Sequence, residues 1–172
     1  MTAKRRASLP PGVVPDAPST LIATWFRVGL MRPAPGTWGS MAALPIGYIL
    51  AVAGGSLAVL AGAVVIFVLG MWASRRMIKS LDGTSQTHDQ PSIVVDEVAG
   101  QLLALTTAGA SPFLFVLGFV FFRLFDIVKP WPISFVDRRT PGAWGVMLDD
   151  VIAGLFAAVL VLAAAVAIRS YV

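Results

Sequence analysis

The sequence contains no cysteine, only one histidine and few charged residues, and each shortage excludes a class of protein. Without cysteine, the chain has no disulfide, no thiolate-bound zinc and no thiol nucleophile. Because His88 is the single histidine, no mechanism that needs two imidazole groups is available. Charged residues make up 13% of the 172 residues, about half the share that is typical of soluble domains. The composition therefore argues against a soluble domain and against disorder, and favours a chain surrounded largely by lipid.

The longest stretch without an ionisable residue lies in the first half of the chain. It covers the 42 residues between Arg32 and Arg75. A helix that crosses a bilayer takes about 20 apolar residues, so this stretch is long enough for two crossings. Gly54-Gly55-Ser56 supplies a natural break. We therefore expect apolar helices near residues 40–53 and 57–73.

Two shorter apolar stretches follow. Residues 151–168 predict one further crossing. Residues 98–122 are open to two interpretations, either one tilted crossing kinked at Pro112 or a hairpin of short helices near 98–108 and 112–127. We favour the hairpin, because the Gly-Ala-Ser-Pro sequence that ends at Pro112 is a strong turn signal.

These patterns predict an all-α, multi-helical integral membrane protein with about three full crossings plus a re-entrant or short helical hairpin. Residues 1–19 contain a basic cluster at 4–6 and four prolines, and we expect them to form a disordered tail. Residues 20–172 then form a single membrane-embedded domain. The basic cluster and the basic residues of 75–79 should lie on the cytoplasmic side, because loops rich in Lys and Arg remain there.

Five of the nine acidic residues are gathered in three places, which are Asp96-Glu97, Asp126 and Asp149-Asp150. Each of the two pairs opens an apolar segment, where one acidic residue is a favourable helix cap. A second carboxylate at a membrane edge is costly unless it has a partner. If the three places converge, a divalent cation would relieve their repulsion, and an all-oxygen ligand set indicates Mg²⁺ or Mn²⁺.

Arg123, Asp126 and Lys129 are spaced three residues apart, so that neighbours share a helix face. Such spacing is common in a local ladder of salt bridges. Beside metal-binding acids, however, an arginine fork and a lysine charge also suit a phosphate group. Pro130 follows directly and ends the helix there.

Two other stretches offer polar groups. The stretch Pro35–Ser40 combines glycines with the hydroxyls of Thr37 and Ser40, which suits either a phosphate-binding loop or a plain turn with a helix cap. His88 lies in a polar stretch upstream of Asp96, where a lone histidine is more often solvated than catalytic.

Four motifs occur in a fixed order within residues 20–165, namely Pro35–Ser40, His88–Gly100, Phe122–Ile133 and Gly145–Gly154. Together they resemble the phosphatidylglycerophosphatase A family, and the motif around Asp126 is long and specific. The chain departs from the family pattern at Arg27, where relatives often have glycine. It departs again at Trp144, which is bulkier than the residue expected there.

The resemblance implies an all-α, Mg²⁺-dependent lipid phosphatase of the bacterial inner membrane that converts phosphatidylglycerophosphate to phosphatidylglycerol. We expect four residues to hold one or two Mg²⁺ ions, namely Asp96, Glu97, Asp149 and Asp150. Asp126 would be a further ligand or a base, and Arg123 and Lys129 would stabilise the phosphate oxygens. The substrate would remain in the bilayer with its head group at a cytoplasmic site. No nucleic acid or obligate protein partner is evident.

Two rival functions use the same residue types. Clustered acids can belong to a cation or proton transporter, but they would then lie in mid-span rather than at helix ends. A phosphotransferase of the CDP-alcohol type has Asp-Gly followed shortly by Ala-Arg, whereas Asp82-Gly83 is followed by Thr84-Ser85. Among phosphatases, the haloacid-dehalogenase type needs Asp-x-Asp, which is absent from the sequence.

Overall fold

The computed structural model describes residues 9–81 and 90–170, and all regular structure within them is helical. The elements are α1 (Pro18–Ala23), a 3₁₀ turn (Val28–Leu30), α2 (Pro35–Lys79), α3 (Val95–Leu105), α4 (Pro112–Val128), α5 (Ile133–Arg139) and α6 (Gly142–Ser170). The predicted all-α fold is confirmed. His88 and the basic cluster at 4–6 lie outside the described residues. Within the predicted tail, Val13 is buried against the core.

Helix α2 is a hairpin of two helical arms. Gly54 and Gly55 depart from helical geometry, and Gly55 has φ of 63° and ψ of −157°, a conformation that only glycine adopts without strain. Pro35 at the start of α2 and Ile78 near its end line the same cavity. The arms 35–53 and 56–79 therefore run in opposite directions, and the predicted break is confirmed.

The middle apolar stretch forms α3 and α4 rather than one continuous helix. Ser111 caps α4 by accepting a hydrogen bond of 3.4 Å from the backbone N–H of Leu114, and Pro112 occupies the first turn. With 11 residues, α3 is about 16 Å long, too short to cross a bilayer. Asp96 at the start of α3 and Asp126 near the end of α4 line the same cavity, so the hairpin interpretation is confirmed.

Helix α3 is the centre of the fold, and nine of its 11 residues are buried. It packs closely against α6 because both helices have glycine at the crossing. A Cβ atom on Gly100 would lie 2.6 Å from the carbonyl oxygen of Asp150, and a Cβ atom on Gly154 would overlap the carbonyl group of Gly100. The close backbone approach brings the acidic pairs of the two helices together.

Helices α2 and α6 are long and apolar enough to cross a membrane. Only 11% and 28% of their most apolar stretches are buried, so neither is the core helix of a soluble protein. Their outer surfaces carry large exposed apolar side chains, among them Val52, Leu57 and Val159. An apolar surface of this extent indicates a membrane protein.

Candidate active site

A cavity of about 640 Å³ lies where the first turns of α2 and α3 meet the end of α4 and the start of α6. Among the residues that the structure describes, six carboxyl groups line it, those of Asp96, Glu97, Asp126, Asp137, Asp149 and Asp150. Within the same described ranges, 9–81 and 90–170, Arg123 and Lys129 are the cationic side chains that line it with them. All five acids that the sequence singled out are therefore brought together, and the excess of negative charge favours a bound cation.

Three of these carboxylates form a compact group. One oxygen from each of Asp96, Glu97 and Asp150 lies within 4.8 Å of the other two. Oδ1 of Asp96 and Oε2 of Glu97 are buried and have no hydrogen-bond partner among the described residues. Leaving such oxygens unsatisfied is costly. The all-oxygen donor set and the orphaned oxygens fit a hard divalent cation such as Mg²⁺.

The protonation of this group reflects its burial. Burial raises the pKa of Asp96 well above its ordinary value, and the neighbouring carboxylate of Glu97 raises it further. Burial also raises the pKa of Glu97. In the absence of a cation the group therefore holds protons more tightly than exposed carboxylates do.

Lys129 is held between two carboxylates at the end of α4. Its backbone is left-handed, with φ of 45° and ψ of 57°, and Pro130 prevents the helix from continuing. Nζ of Lys129 donates hydrogen bonds of 2.8 Å to Oδ1 of Asp137 and 2.7 Å to Oδ2 of Asp149. Burial alone would lower the pKa of Lys129, but the two carboxylates outweigh it and raise the pKa above 10.5. The ammonium is therefore charged at neutral pH.

Asp149 contacts Lys129 and does not belong to the compact group that the other three predicted metal ligands form. Its Oδ2 accepts from Lys129, and its Oδ1 accepts a hydrogen bond of 3.0 Å from the backbone N–H of Asp150. In this arrangement Asp149 orients the lysine beside the compact group of Asp96, Glu97 and Asp150.

Arg123 forms an ion pair with Asp126 one turn along α4, as the spacing predicts. Its Nη1 also donates to Oγ of Ser40 at 3.4 Å, and that hydroxyl in turn donates to the carbonyl oxygen of Gly36 at 3.0 Å. Arg123 therefore joins α4 to the first turn of α2. Its Nε is buried and has no partner among the described residues.

The stretch Pro35–Ser40 contributes mainly backbone to the site. Pro35 and Gly36 line the cavity, whereas Thr37 and Ser40 are not among the lining residues. A Cβ atom on Gly36 would overlap the carboxylate of Glu97. The chain therefore passes directly against that carboxylate, and a side chain at position 36 would have to displace the end of Glu97. The hydroxyl of Ser40 supports Arg123 rather than the cavity.

Sequence reasoning missed Asp137, which lies in α5 and pairs with Lys129. The available signal was its position shortly after the motif around Asp126 in a chain with only nine acidic residues. The partner of Asp137 could not be recognised, because the turn between α4 and α5 decides which side chains meet.

Comparison with known proteins agrees with this site. A family model described as "Phosphatidylglycerophosphatase A" matches residues 21–165. The chain belongs to the phosphatidylglycerophosphatase A family. All six cavity carboxylates fall within the matched residues. Membership in the phosphatidylglycerophosphatase A family makes the chain a phosphatase that acts on phosphoric monoesters.

Relatives match most of the chain. The phosphatidylglycerophosphatase A of Haemophilus influenzae is 36% identical over 147 residues, which cover 85% of this chain and 88% of the relative. That of Escherichia coli K12 is 36% identical over 145 residues, which cover 82% and 80%. A protein of Bacteroides thetaiotaomicron, provisionally named a phosphatidylinositol-3-phosphatase, is 35% identical over 148 residues, which cover 82% and 89%. No solved structure matches the chain significantly.

Proposed function

We propose that the protein removes the terminal phosphate of phosphatidylglycerophosphate, leaving phosphatidylglycerol, and that the reaction depends on Mg²⁺. The observation that carries the proposal is the meeting of Asp96, Glu97 and Asp150 in one cavity with Arg123 and Lys129. The names of the Haemophilus and Escherichia relatives support this choice of substrate.

Asp96, Glu97 and Asp150 would hold the cation, since their oxygens are close together and two of them lack other partners. When bound, Mg²⁺ would offset the charge of the phosphate group and of the surrounding carboxylates. This pocket is formed by α3 and α6, which the glycine crossing holds in fixed register.

The remaining charged side chains would act on the phosphate. Lys129, oriented by Asp137 and Asp149, donates hydrogen bonds to the phosphate oxygens as charge develops on them. Arg123, which lies about two turns earlier on α4, does the same and is kept in place by Ser40. Asp126 orients Arg123 and is the proposed acceptor of the proton from the attacking water. The new bond joins that water oxygen to phosphorus, and the ester P–O bond breaks. The glycerol oxygen takes up a proton from solvent, and Asp126 then releases to solvent the proton that it accepted.

The proposed topology has three crossings, formed by the two arms of α2 and by α6, with the cavity on the cytoplasmic face of the inner membrane. Arg75, Arg76 and Lys79 end the second arm on the cavity side, as the positive-inside rule requires. Since the chain has no cysteine, single cysteines can report the topology directly. Ser80→Cys should react from the cytoplasmic side and Ser56→Cys from the outside, and the reverse pattern would refute the orientation.

The function is tested with purified, detergent-solubilised protein and four substrates. These are phosphatidylglycerophosphate, phosphatidylinositol 3-phosphate, phosphatidic acid and glycerol 3-phosphate. We expect phosphate release to be fastest from phosphatidylglycerophosphate. This activity should be lost in EDTA and should recover when Mg²⁺ is added. Undiminished hydrolysis in EDTA would refute the cation site. Faster release from phosphatidylinositol 3-phosphate would instead assign the chain the activity in the name of the Bacteroides relative.

A further inference from the structure

A second feature of the molecule lies outside the carboxylate cavity, on the seam between α2 and α6. A groove of about 200 Å³ opens there, and all its lining side chains are apolar. The second arm of α2 contributes Leu60, Ala63, Val64 and Phe67. These residues belong to the stretch of α2 that could cross a membrane, so the medium around the groove is the hydrocarbon of lipid chains.

The other walls of the groove come from Ala99 and Leu103 of α3 and from Val151 of α6. Val151 lies seven residues after Trp144, so the two share one face of α6. Trp144 packs against Phe67, with 6.4 Å between the ring centroids. Because Phe67 lines the groove, this aromatic pair lies at one end of it.

A positive charge follows directly beyond the aromatic pair. The guanidinium carbon of Arg75 lies 5.3 Å from the ring centroid of Trp144. Val64 and Arg75 are 11 residues apart, which is about three helical turns or 16 Å along the same face of α2. The seam thus presents an apolar groove, an aromatic pair and an arginine in succession. A lipid presents its groups in the same order, namely its acyl chain, its glycerol region at the membrane–water interface and its phosphate.

We propose that this seam binds one anionic phospholipid of the bilayer, with Arg75 at the phosphate and one acyl chain in the groove. Charge complementarity and the continuity of groove, aromatic pair and arginine favour this occupant. Arg75, Trp144 and Val64 do not line the carboxylate cavity. The groove shares no lining residue with the carboxylate cavity and is therefore separate from the proposed catalytic site.

The neighbouring residues supply a matched control. Val65 and Arg76 have the same spacing as Val64 and Arg75 but lie about 100° further round the helix. Val64 and Val65 are 54% and 55% exposed, so tryptophan at either position disturbs no core. Arg76 also lies over a tryptophan ring, that of Trp72, at 5.6 Å. The pair Val64 and Arg75 lies on the groove side of α2, whereas the pair Val65 and Arg76 does not.

The test measures retained lipid rather than activity. The full chain is placed in bilayer nanodiscs with equal amounts of phosphatidylglycerol and phosphatidylcholine of identical chains, and is then released for native mass spectrometry. We expect one phosphatidylglycerol to remain on the wild-type protein. Arg75→Gln should weaken its retention about fivefold, the contribution of one basic residue near a lipid surface. Val64→Trp should weaken it too, whereas Arg76→Gln and Val65→Trp should behave as wild type.

Three results would overturn the proposal. Equal retention of the two lipids by the wild-type protein would show no selective site. Equal losses in Arg75→Gln and Arg76→Gln would assign retention to the general positive charge of this end of α2. A change from dimer to monomer in Val64→Trp would assign the groove to a second copy of the chain. Arg75 and Val64 do not line the carboxylate cavity, so losses in their variants are distinguishable from binding of phosphatidylglycerol as a product in the proposed catalytic site.

Discussion

Lys129 shows most clearly how single residues arrange the charges of the cavity. Its left-handed backbone and the following proline direct the ammonium toward Asp137 and Asp149 rather than along the helix. Non-glycine residues rarely adopt this conformation, and they cost about 1–3 kcal/mol when they do. The strained backbone is found at the position where the ammonium group of Lys129 lies beside the carboxylates.

We predict that Asp137→Asn lowers kcat/KM for phosphatidylglycerophosphate by about threefold to tenfold, which corresponds to about 0.7–1.4 kcal/mol of transition-state stabilisation. The substitution removes one of the two carboxylates that orient Lys129. Asp16→Asn is the matched control, because Asp16 is also an exposed acid that pairs with a basic side chain, Arg27. In a Lys129→Met background, Asp137→Asn should have no further effect. An additive loss in that background would contradict the orienting role.

For single residues, the sequence indicates which side chains form the site better than it indicates which of them contact one another. The carboxylates were predictable because acidic residues are rare in this chain and clustered at apolar segments. The pairing of Arg123 with Asp126 followed from helical spacing. The contact between Arg123 and Ser40 was not predictable, because the two residues are 83 positions apart and meet only when α4 packs against α2.

Among the elements, the crossing of α3 and α6 decides the geometry of the site. Gly100 and Gly154 allow the two backbones to touch. Asp96 and Glu97 stand one turn before Gly100, and Asp150 stands one turn before Gly154. The separation of the two helices therefore sets the distance between the carboxylates that would share a cation.

We predict that Gly100→Ala destabilises the protein by about 1–3 kcal/mol, the usual effect of overpacking, and weakens Mg²⁺ stimulation. Its added methyl group would press on the backbone of Asp150, which cannot move without shifting α6. Gly118→Ala in α4 is the control, because its new methyl group would be tight only against the flexible end of Leu105, at 3.0 Å, and would make ordinary contacts elsewhere. The measurements are Tm in detergent and the Mg²⁺ concentration for half-maximal activity. Equal effects of the two substitutions would contradict this account.

The breaks between elements were predictable, whereas their packing was not. Glycine and proline mark the break at Gly54-Gly55 and the turn before Pro112, and both signals act within a few residues. Nothing local indicates that α3 lies buried between α2 and α6. That placement depends on small residues on distant helices fitting one another.

On the scale of the whole molecule, an apolar exterior encloses an acidic cavity at one end of the helices. This arrangement ties stability to pH when no cation is present. Because the pKa of Asp96 is raised in the folded state, the folded protein holds its proton more tightly than the unfolded chain does. The contribution of Asp96 to stability is therefore fully present below the ordinary carboxyl pKa of about 4, and it is lost as pH rises through the raised value.

We predict that in EDTA the loss of the stability contributed by protonated Asp96 lowers Tm as pH rises from about 5 to about 8. Mg²⁺ should raise Tm more at the higher pH. Lys129 does not oppose this trend, since it stays protonated throughout that interval. The double variant Asp96→Asn, Glu97→Gln should show a weaker pH dependence and should lose the response to Mg²⁺. A Tm in EDTA that increases over this interval, or a Mg²⁺ effect that is larger at pH 5, would contradict the prediction.

The most direct test of the cation site is a Mn²⁺ titration of EDTA-stripped protein, followed by electron paramagnetic resonance of the free ion. We expect saturable binding to the wild-type protein and to Asp16→Asn. Binding should weaken at least about tenfold in Asp96→Asn and in Asp150→Asn, because each loses a charged ligand. Absence of saturable binding to the wild-type protein, or equal affinity in all four proteins, would contradict this expectation.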